Sequence, residues 1–548
     1  MITLHPSGRC FLDGDRPFVP SGVNYWPGSC GVELWARWPE AEIKADLALV
    51  RDLGLDSVRF FLRWQDFEPE EGRCDAAMFA RLDRMLGWCG ELGLKAHPSL
   101  FVGFMSGGVF WPAWKRGRNL FSDPVMVARS AAFAAAATRV ISRHREHVLA
   151  IDLGNEMNCL ADAQAASPAE NAEWFRQVTA AVRGADPGLL IVSGNDQNQL
   201  CNDAHRFDRQ TGTDFLSMHG YPVPDWHAVQ FDGMGDPLAA DLLPCYCAAA
   251  RSFAPVMLQE FGTILTTDGP RQESYLAAML PAARRAGANG FLWWCLRDIP
   301  ALIHPYTKVG MESQLGLVDA QGRVKPGLQR FIGFARDLDP LAEPPPAAHA
   351  IAWPRHWWHR DEPANPGNHP GACARRLSLA FHHIKAVAGQ PEVVRLEHGI
   401  PDHVRILTVA GMALDHADQR VLLEWVRGGG RLLWHSPTPM QWGAPQAELI
   451  GARPMDYRAR KPVAVEAFGA TWNFPEPAVQ RPEVRIDSAQ VVARDEDGLP
   501  AIGVNRVGAG RVAWCLPPVE EAVAAIGPRP QQRARWQAWY RGMLALLG

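Results

Sequence analysis

The sequence predicts an α/β chain: a (β/α)8 TIM barrel, then a smaller α/β sheet domain and a short β-rich C-terminal segment. Three observations carry this expectation. Between residues 18 and 340 a short apolar run alternates eight times with a longer helical stretch, which is the rhythm and length of a barrel of that kind. Several helical stretches stop at a glycine, as at Gly54, Gly93 and Gly287, where a left-handed cap favours the residue without a Cβ. After residue 343 the composition turns proline-rich and a shorter strand–helix alternation begins. A doubly wound sheet would more often carry a Gly-rich phosphate loop after its first strand, and none is present.

Taken in order, the apolar runs lie at 18–25, 57–61, 95–102, 148–153, 189–193, 214–218, 255–258 and 290–294. Near-continuous hydrophobicity over four to eight residues is expected of a strand covered on both faces. Helical stretches fill 40–53, 76–92, 124–145 and 271–286, and residues 1–16 read as a hairpin closing the bottom of the barrel. Pro344-Pro345-Pro346 and the polar run 361–370 are linker-like. Then follow a helix at 374–388, a strand at 403–409, a helix at 416–426 and a strand at 431–435. A β-ribbon pattern at 489–494 and 501–515 precedes a closing amphipathic helix at 531–547. The expected domains are therefore a barrel over 1–342, a linker over 343–372, an α/β domain over 373–480 and a β-rich segment over 481–548.

Composition bounds the function. A chain of 548 residues is too long for one core. Lys+Arg 55 against Asp+Glu 59 leaves a net charge of −4, which speaks against nucleic acid or an anionic membrane as partner. No signal-like start and no membrane-length apolar run is visible. The 11 cysteines are scattered singly, as suits reduced thiols in a cytoplasm; Cys245 and Cys247 lie two apart on a helix and point to different faces. Tryptophan is the outlier, with 21 residues, eleven before residue 344 and ten after.

Barrel chemistry sits at the C-terminal ends of the strands. The fourth strand runs out through Gly154-Asn155-Glu156 and the seventh through Gln259-Glu260-Phe261-Gly262. Each delivers a carboxylate directly after an apolar strand, where an unpartnered acid is costly. This pair resembles the glycoside hydrolases of clan A, family 5 in particular. The resemblance implies that Glu156 is the general acid/base, that Glu260 is the nucleophile and that Asn155 meets a sugar hydroxyl. It extends to Arg59 on the second strand, His97 on the third, His219 and Tyr221 on the sixth, and Trp293 or Trp294 on the eighth as the floor of the sugar subsite. Met157 departs from it, standing where many members have Pro.

Two carboxyl groups at close quarters suit retaining hydrolysis, one ionised for attack and one protonated for the leaving oxygen. Arg59 and Tyr221 would keep Glu260 ionised. Sugar platforms are expected from rim aromatics, here Trp26, Trp64, Trp111 and Trp114; Asp298 and Glu312 are further candidates for substrate hydroxyls. A walled cleft built from residues 103–120 would make action exo. The expected activity is a retaining exo-acting β-glycosidase on short β-mannosides. The alternatives are a β-galactosidase, a β-glucosidase, an endo-β-mannanase or a sugar-binding scaffold. No metal or cofactor is called for.

The α/β domain after the barrel resembles the flavodoxin-like domain that follows the barrel in family 42 β-galactosidases. That implies a homo-oligomer assembled through it, with no catalytic role. Ser436, after His435, is the one elbow-like nucleophile there, and Pro437 follows it.

Overall fold

The computed structural model describes every residue except 202–203, 265–267, 303, 358–368, 439–441 and 479. It forms two compact units. The first holds residues 1–199, 204–223 and 253–343 among those described; the second holds 200–201, 224–252 and the remainder from 344.

In the first unit eight parallel strands form the barrel: β1 (Ser21–Tyr25), β2 (Ser57–Phe61), β3 (Lys95–Phe101), β4 (Ile151–Asn155), β5 (Ile191–Gly194), β6 (Leu216–Gly220), β7 (Val256–Phe261) and β8 (Ala288–Trp293). Their order is β5-β4-β3-β2-β1-β8-β7-β6. The ring closes between β5 and β6 through Asp214 N–H to the Ile191 carbonyl at 2.8 Å and His219 N–H to the Asn195 carbonyl at 3.1 Å. Every residue of β1, β2, β4 and β7 is buried, which is why these strands read as apolar runs with isolated polar residues turned inward.

Helix starts follow from local chemistry. Asp75 and Asp123 each cap a helix with the side chain, and Ser167 with Glu170 forms a reciprocal capping box. The helical stretch Pro124–His147 is long and apolar enough to cross a membrane, and half of its apolar window is buried in the fold. The N-terminal segment makes three short antiparallel strands rather than one hairpin. Ile2 and Phe11 pack on Leu149, Val192, Phe215 and Met257, so these strands plug the end of the barrel opposite the carboxylates.

Gly22 in β1 is a close-approach residue. A Cβ there would lie 1.8 Å from the Ser57 carbonyl oxygen of the neighbouring strand. Backbone cannot yield as a side chain does, so Gly22→Ala is expected to cost about 3 kcal/mol; urea unfolding measures it, and unchanged stability would contradict this register.

The second unit is built on one seven-stranded sheet: β9 (His349–Trp353), β10 (Glu392–Arg395), β11 (Ile406–Ala410), β12 (Arg431–His435), β13 (Gln490–Arg494), β14 (Pro500–Val507) and β15 (Gly510–Cys515). The order is β10-β9-β11-β12-β15-β14-β13. The first five positions are parallel and the ribbon β13-β14 joins antiparallel through β15, so the C-terminal ribbon extends the sheet.

The expected linker is corrected at β9. His-Ala-Ile-Ala-Trp is buried throughout and pairs on both sides. Five residues flanked by proline-rich sequence gave too short an apolar signal to stand out. The polar run read at 361–370 lies mostly outside the described residues. Helix Ala239–Arg251 also belongs to this unit, where Asp241 pairs with His382 at 2.7 Å.

Five of the C-terminal tryptophans are packing residues. Trp434 and Trp514 lie in the core around the sheet, while Trp472, Trp536 and Trp539 cluster with Phe474. Ser436 has a left-handed φ of 51°, but its hydroxyl donates to the Pro517 carbonyl at 2.9 Å and the His435 ring is paired with Glu520.

Candidate active site

The C-terminal ends of β2, β4, β6 and β7 converge on two carboxyl groups. Glu260 is the fifth residue of β7 and points into the barrel. Its Oε1 accepts from the Tyr221 hydroxyl at 2.7 Å and its Oε2 from Arg59 at 3.1 Å. Glu156 follows β4 in a left-handed conformation, φ 46° and ψ 43°, a costly state for a residue with a Cβ and one that clusters at functional sites. Its side chain keeps 14% exposure where Glu260 keeps 6%. One oxygen of each carboxyl and a ring nitrogen of His219 all lie within 4.8 Å of one another.

Arg59 is the organising cation. It is fully buried and donates to Asp152 at 2.7 and 3.0 Å, to Asn155 at 2.9 Å and to Asn24 at 2.9 Å, besides Glu260. The expected Arg59–Glu260 contact is present, and the guanidinium has no surface left for substrate. Asn24, Asp152 and Gln259 complete this interior network; sequence reading gave none of them a role, because Asn24 and Asp152 are single polar residues inside apolar runs and Gln259 stood only as the neighbour of Glu260.

Burial shifts both acids. Glu156 is pushed up to about 8, first by desolvation and then by the charge of Asp196, against Arg59. Glu260 is pushed up to about 7 by desolvation and then by the charge of Glu156, with Arg59 and Tyr221 opposing. The group held by the arginine and the tyrosine is thus the stronger acid of the two, and the more open carboxyl keeps its proton longer. Two carboxylates and an imidazole could in principle hold a cation. Here Glu260 is already occupied by a guanidinium that would repel one.

The remaining expected residues separate by location. Asn155 commits its oxygen to Arg59 and one N–H to the Phe104 carbonyl. His97 sits behind the site, bonded to the Ala150 carbonyl and to Gln259. Trp294 donates to Glu312 at 3.0 Å and meets Phe61 edge-on. Trp293, its neighbour, points to the other face of β8, where it stacks on Phe331 and is fully buried. Trp26, stacked on Phe61, and Trp64, packed among Phe101, Trp114 and Phe133, are also fully buried. Trp114 donates to the Glu68 carbonyl from a buried position. These four have no ring face to offer a sugar, which corrects the platform expectation; Trp111 alone of the loop pair is partly exposed.

Glu312 is the residue the sequence undervalued. It is 3% exposed and accepts from Trp294 and from the Ser106 hydroxyl, and its charge acts on Glu156. Ser106 lies in the turn between the short strands Phe104–Met105 and Gly108–Val109, so the Ser106–Glu312 bond ties that hairpin to the segment after β8. Asp298 instead pairs with Lys325.

The exo-β-1,4-mannosidase Op5Man5 from Opitutaceae bacterium strain TAV5 matches with a TM-score of 0.94 and 45% identity, covering 98% of this chain and 99% of that one. The chain belongs to the family 5-like glycoside hydrolases of clan A. This glycoside hydrolase also shares its fold with a family 5, subfamily 18 enzyme from Streptomyces cattleya in complex with Manβ1-4GlcNAc. That match has TM-score 0.61 and 22% identity over 70% of this chain and 96% of that one. A β-galactosidase from Rahnella sp. R3 matches with TM-score 0.69 and 15% identity over 97% and 89%, so the fold is shared with it. No family model and no curated protein matches the chain.

Proposed function

We propose that this glycoside hydrolase is a retaining exo-β-mannosidase that removes mannose from short β-1,4-linked mannosides. The carrying observation is the carboxyl pair, with oxygens of Glu156 and Glu260 within 4.8 Å. A contact this close between oxygens is nearer the about 5–5.5 Å between the carboxyl groups of a retaining site than the about 6.5–9.5 Å of an inverting one. Likeness over almost the whole length of an exo-β-1,4-mannosidase supports the sugar and the linkage. The tie from the hairpin at Ser106 to Glu312 after β8 supports exo action, as the hairpin that would wall one side of the cleft.

In the first step the Glu260 carboxylate bonds to the anomeric carbon as the glycosidic bond breaks, and the Glu156 proton passes to the leaving oxygen. Glu260 is then esterified and its charge is gone. Glu156, now ionised, takes a proton from water; the water oxygen bonds to the anomeric carbon and Glu260 leaves as carboxylate. On this reading Glu312 and Trp294 are the groups that would meet the mannose.

A panel of aryl β-mannoside, β-galactoside and β-glucoside tests the sugar, and NMR of the first-formed anomer tests the stereochemistry. Turnover of the mannoside with β-mannose released first is expected; α-mannose released first overturns the double displacement. The rate depends on pH as a bell, because Glu260 must be ionised and Glu156 protonated. The alkaline limb falls near pH 8, where Glu156 loses its proton. Both acids hold protons in the folded state above their ordinary range, so their contribution to stability is complete below about pH 4.5 and is lost as pH rises through about 7 and about 8. Glu156→Gln is expected to flatten the upper part of that loss in urea titrations.

A further inference from the structure

A chain of hydrogen bonds runs behind the carboxyl pair. His97 Nδ1 lies 2.8 Å from the Ala150 carbonyl oxygen, and His97 Nε2 lies 2.7 Å from Gln259 Nε2. Gln259 Oε1 lies 2.9 Å from His219 Nε2, and His219 Nδ1 lies 3.3 Å from Glu156 Oε1. His97, Gln259 and His219 are all fully buried.

The first link sets the direction of every other. A carbonyl oxygen can only accept, so His97 Nδ1 carries the proton. Burial holds His97 neutral, pushed down to about 4, so its Nε2 is a lone pair and must face the N–H side of the Gln259 amide. The amide oxygen then faces His219, which must donate from Nε2. Burial likewise pushes His219 down. A neutral His219 that donates from Nε2 presents a lone pair at Nδ1, toward Glu156 at 3.3 Å and Glu260 at 3.7 Å.

We propose that Gln259 is a positioning residue that fixes His219 in its Nε2–H form, so that Nδ1 accepts the acid proton of Glu156. A lone pair beside Glu156 stabilises the carboxylic acid and repels the carboxylate. It therefore keeps the proton on Glu156 before bond cleavage and makes Glu156 the stronger base afterwards. Other charges reach this point from several elements: Arg59 from β2, Asp152 from β4, Asp196 after β5, Glu260 from β7 and Glu312 after β8. None of them selects a tautomer. The amide does, because its N–H side is turned to His97 and its oxygen to His219. The inference rests on Glu156 being the acid.

The test uses Gln259→Met, which keeps the volume and removes both hydrogen bonds. His219 is then free to carry its proton on Nδ1 and donate to the Glu156 carboxylate, so the alkaline limb of kcat/KM is expected to move to lower pH by about one unit. With a poor leaving group the enzyme needs its acid; with 2,4-dinitrophenolate it does not. The ratio of kcat/KM for the dinitrophenyl mannoside over that for mannobiose is expected to rise at least about tenfold. Glu156→Ala is the control and should show the same divergence more strongly. If Glu156→Ala loses both substrates equally, the acid assignment itself is wrong. If it diverges and Gln259→Met does not, with the alkaline limb unmoved, the relay is overturned.

The unsubstituted enzyme gives an independent reading through 15N spectra of histidine-labelled protein. His97 is expected to be protonated on Nδ1 and His219 on Nε2, assigned by their loss in His97→Asn and His219→Asn. A proton on Nδ1 of His219 in that enzyme overturns the proposal whatever the variants do.

Discussion

Replacing Glu260 by alanine is expected to lower kcat on an aryl β-mannoside by about 10⁵-fold, equivalent to about 7 kcal/mol of barrier. No nearby group can substitute. Glu156 is a carboxyl close by, but it is the group expected to be protonated and must protonate the leaving oxygen. The Tyr221 hydroxyl is a buried phenol held far above its ordinary range, by burial first and then by the charge of Glu260. The fold should tolerate the loss, because Arg59 keeps Asp152, Asn24 and Asn155 as partners.

The space left by the side chain allows a small anion to act in its place. Added azide should restore turnover of an activated mannoside and give α-mannosyl azide, with the anomeric configuration inverted because only one displacement occurs. A variant within tenfold of the parent enzyme, or one that forms β-mannosyl azide, would remove Glu260 as the nucleophile.

The eight-strand rhythm and both carboxylates could be read from the sequence because each rests on a contrast. A strand covered on both faces is a solid apolar run, and an acid at its end breaks the run where barrel chemistry occurs. What could not be read is which way a side chain turns. Trp293 and Trp294 are adjacent and equally suggestive, yet the period of two puts one among the outer helices and the other beside Glu312. Trp26 follows β1 and Trp64 opens the short helix Trp64–Phe67, and both are fully buried there. Glu312 follows β8 by many residues, in a segment whose sequence gives no reason to bury a carboxylate; only the approach of Ser106 and Trp294 does so. Asn24 and Asp152 look like isolated polar residues in core strands, and Gln259 like a mere neighbour of Glu260. Their meaning appears once the ring closes and they meet around Arg59 and His219.

That interior network sets the second large effect. Arg59→Met is expected to cost about 3–5 kcal/mol of folding stability, because it strands Asp152, fully buried, without its cation. Asp152 keeps the backbone N–H groups of Gly154 at 3.1 Å and Gly194 at 2.7 Å, which solvate one oxygen and leave the other facing an apolar thioether. Catalysis suffers as well, since Arg59 is among the groups that oppose the rise of Glu260. Without it Glu260 stays protonated to higher pH, and the acid limb of the rate profile moves up while kcat falls. Arg59→Lys should recover little, because one ammonium cannot reach Asp152, Asn155, Asn24 and Glu260 together as the planar fork does. The double variant Arg59→Met/Asp152→Asn separates the two roles. Removing the stranded charge is expected to return most of the lost stability in urea unfolding while the acid limb stays displaced, because Glu260 still lacks its cation. If the single variant matches the parent in both stability and pH profile, Arg59 does not hold the nucleophile in its ionised form. If the double variant restores the pH profile as well, Arg59 serves the fold alone, and the ionisation of Glu260 must then depend on Tyr221.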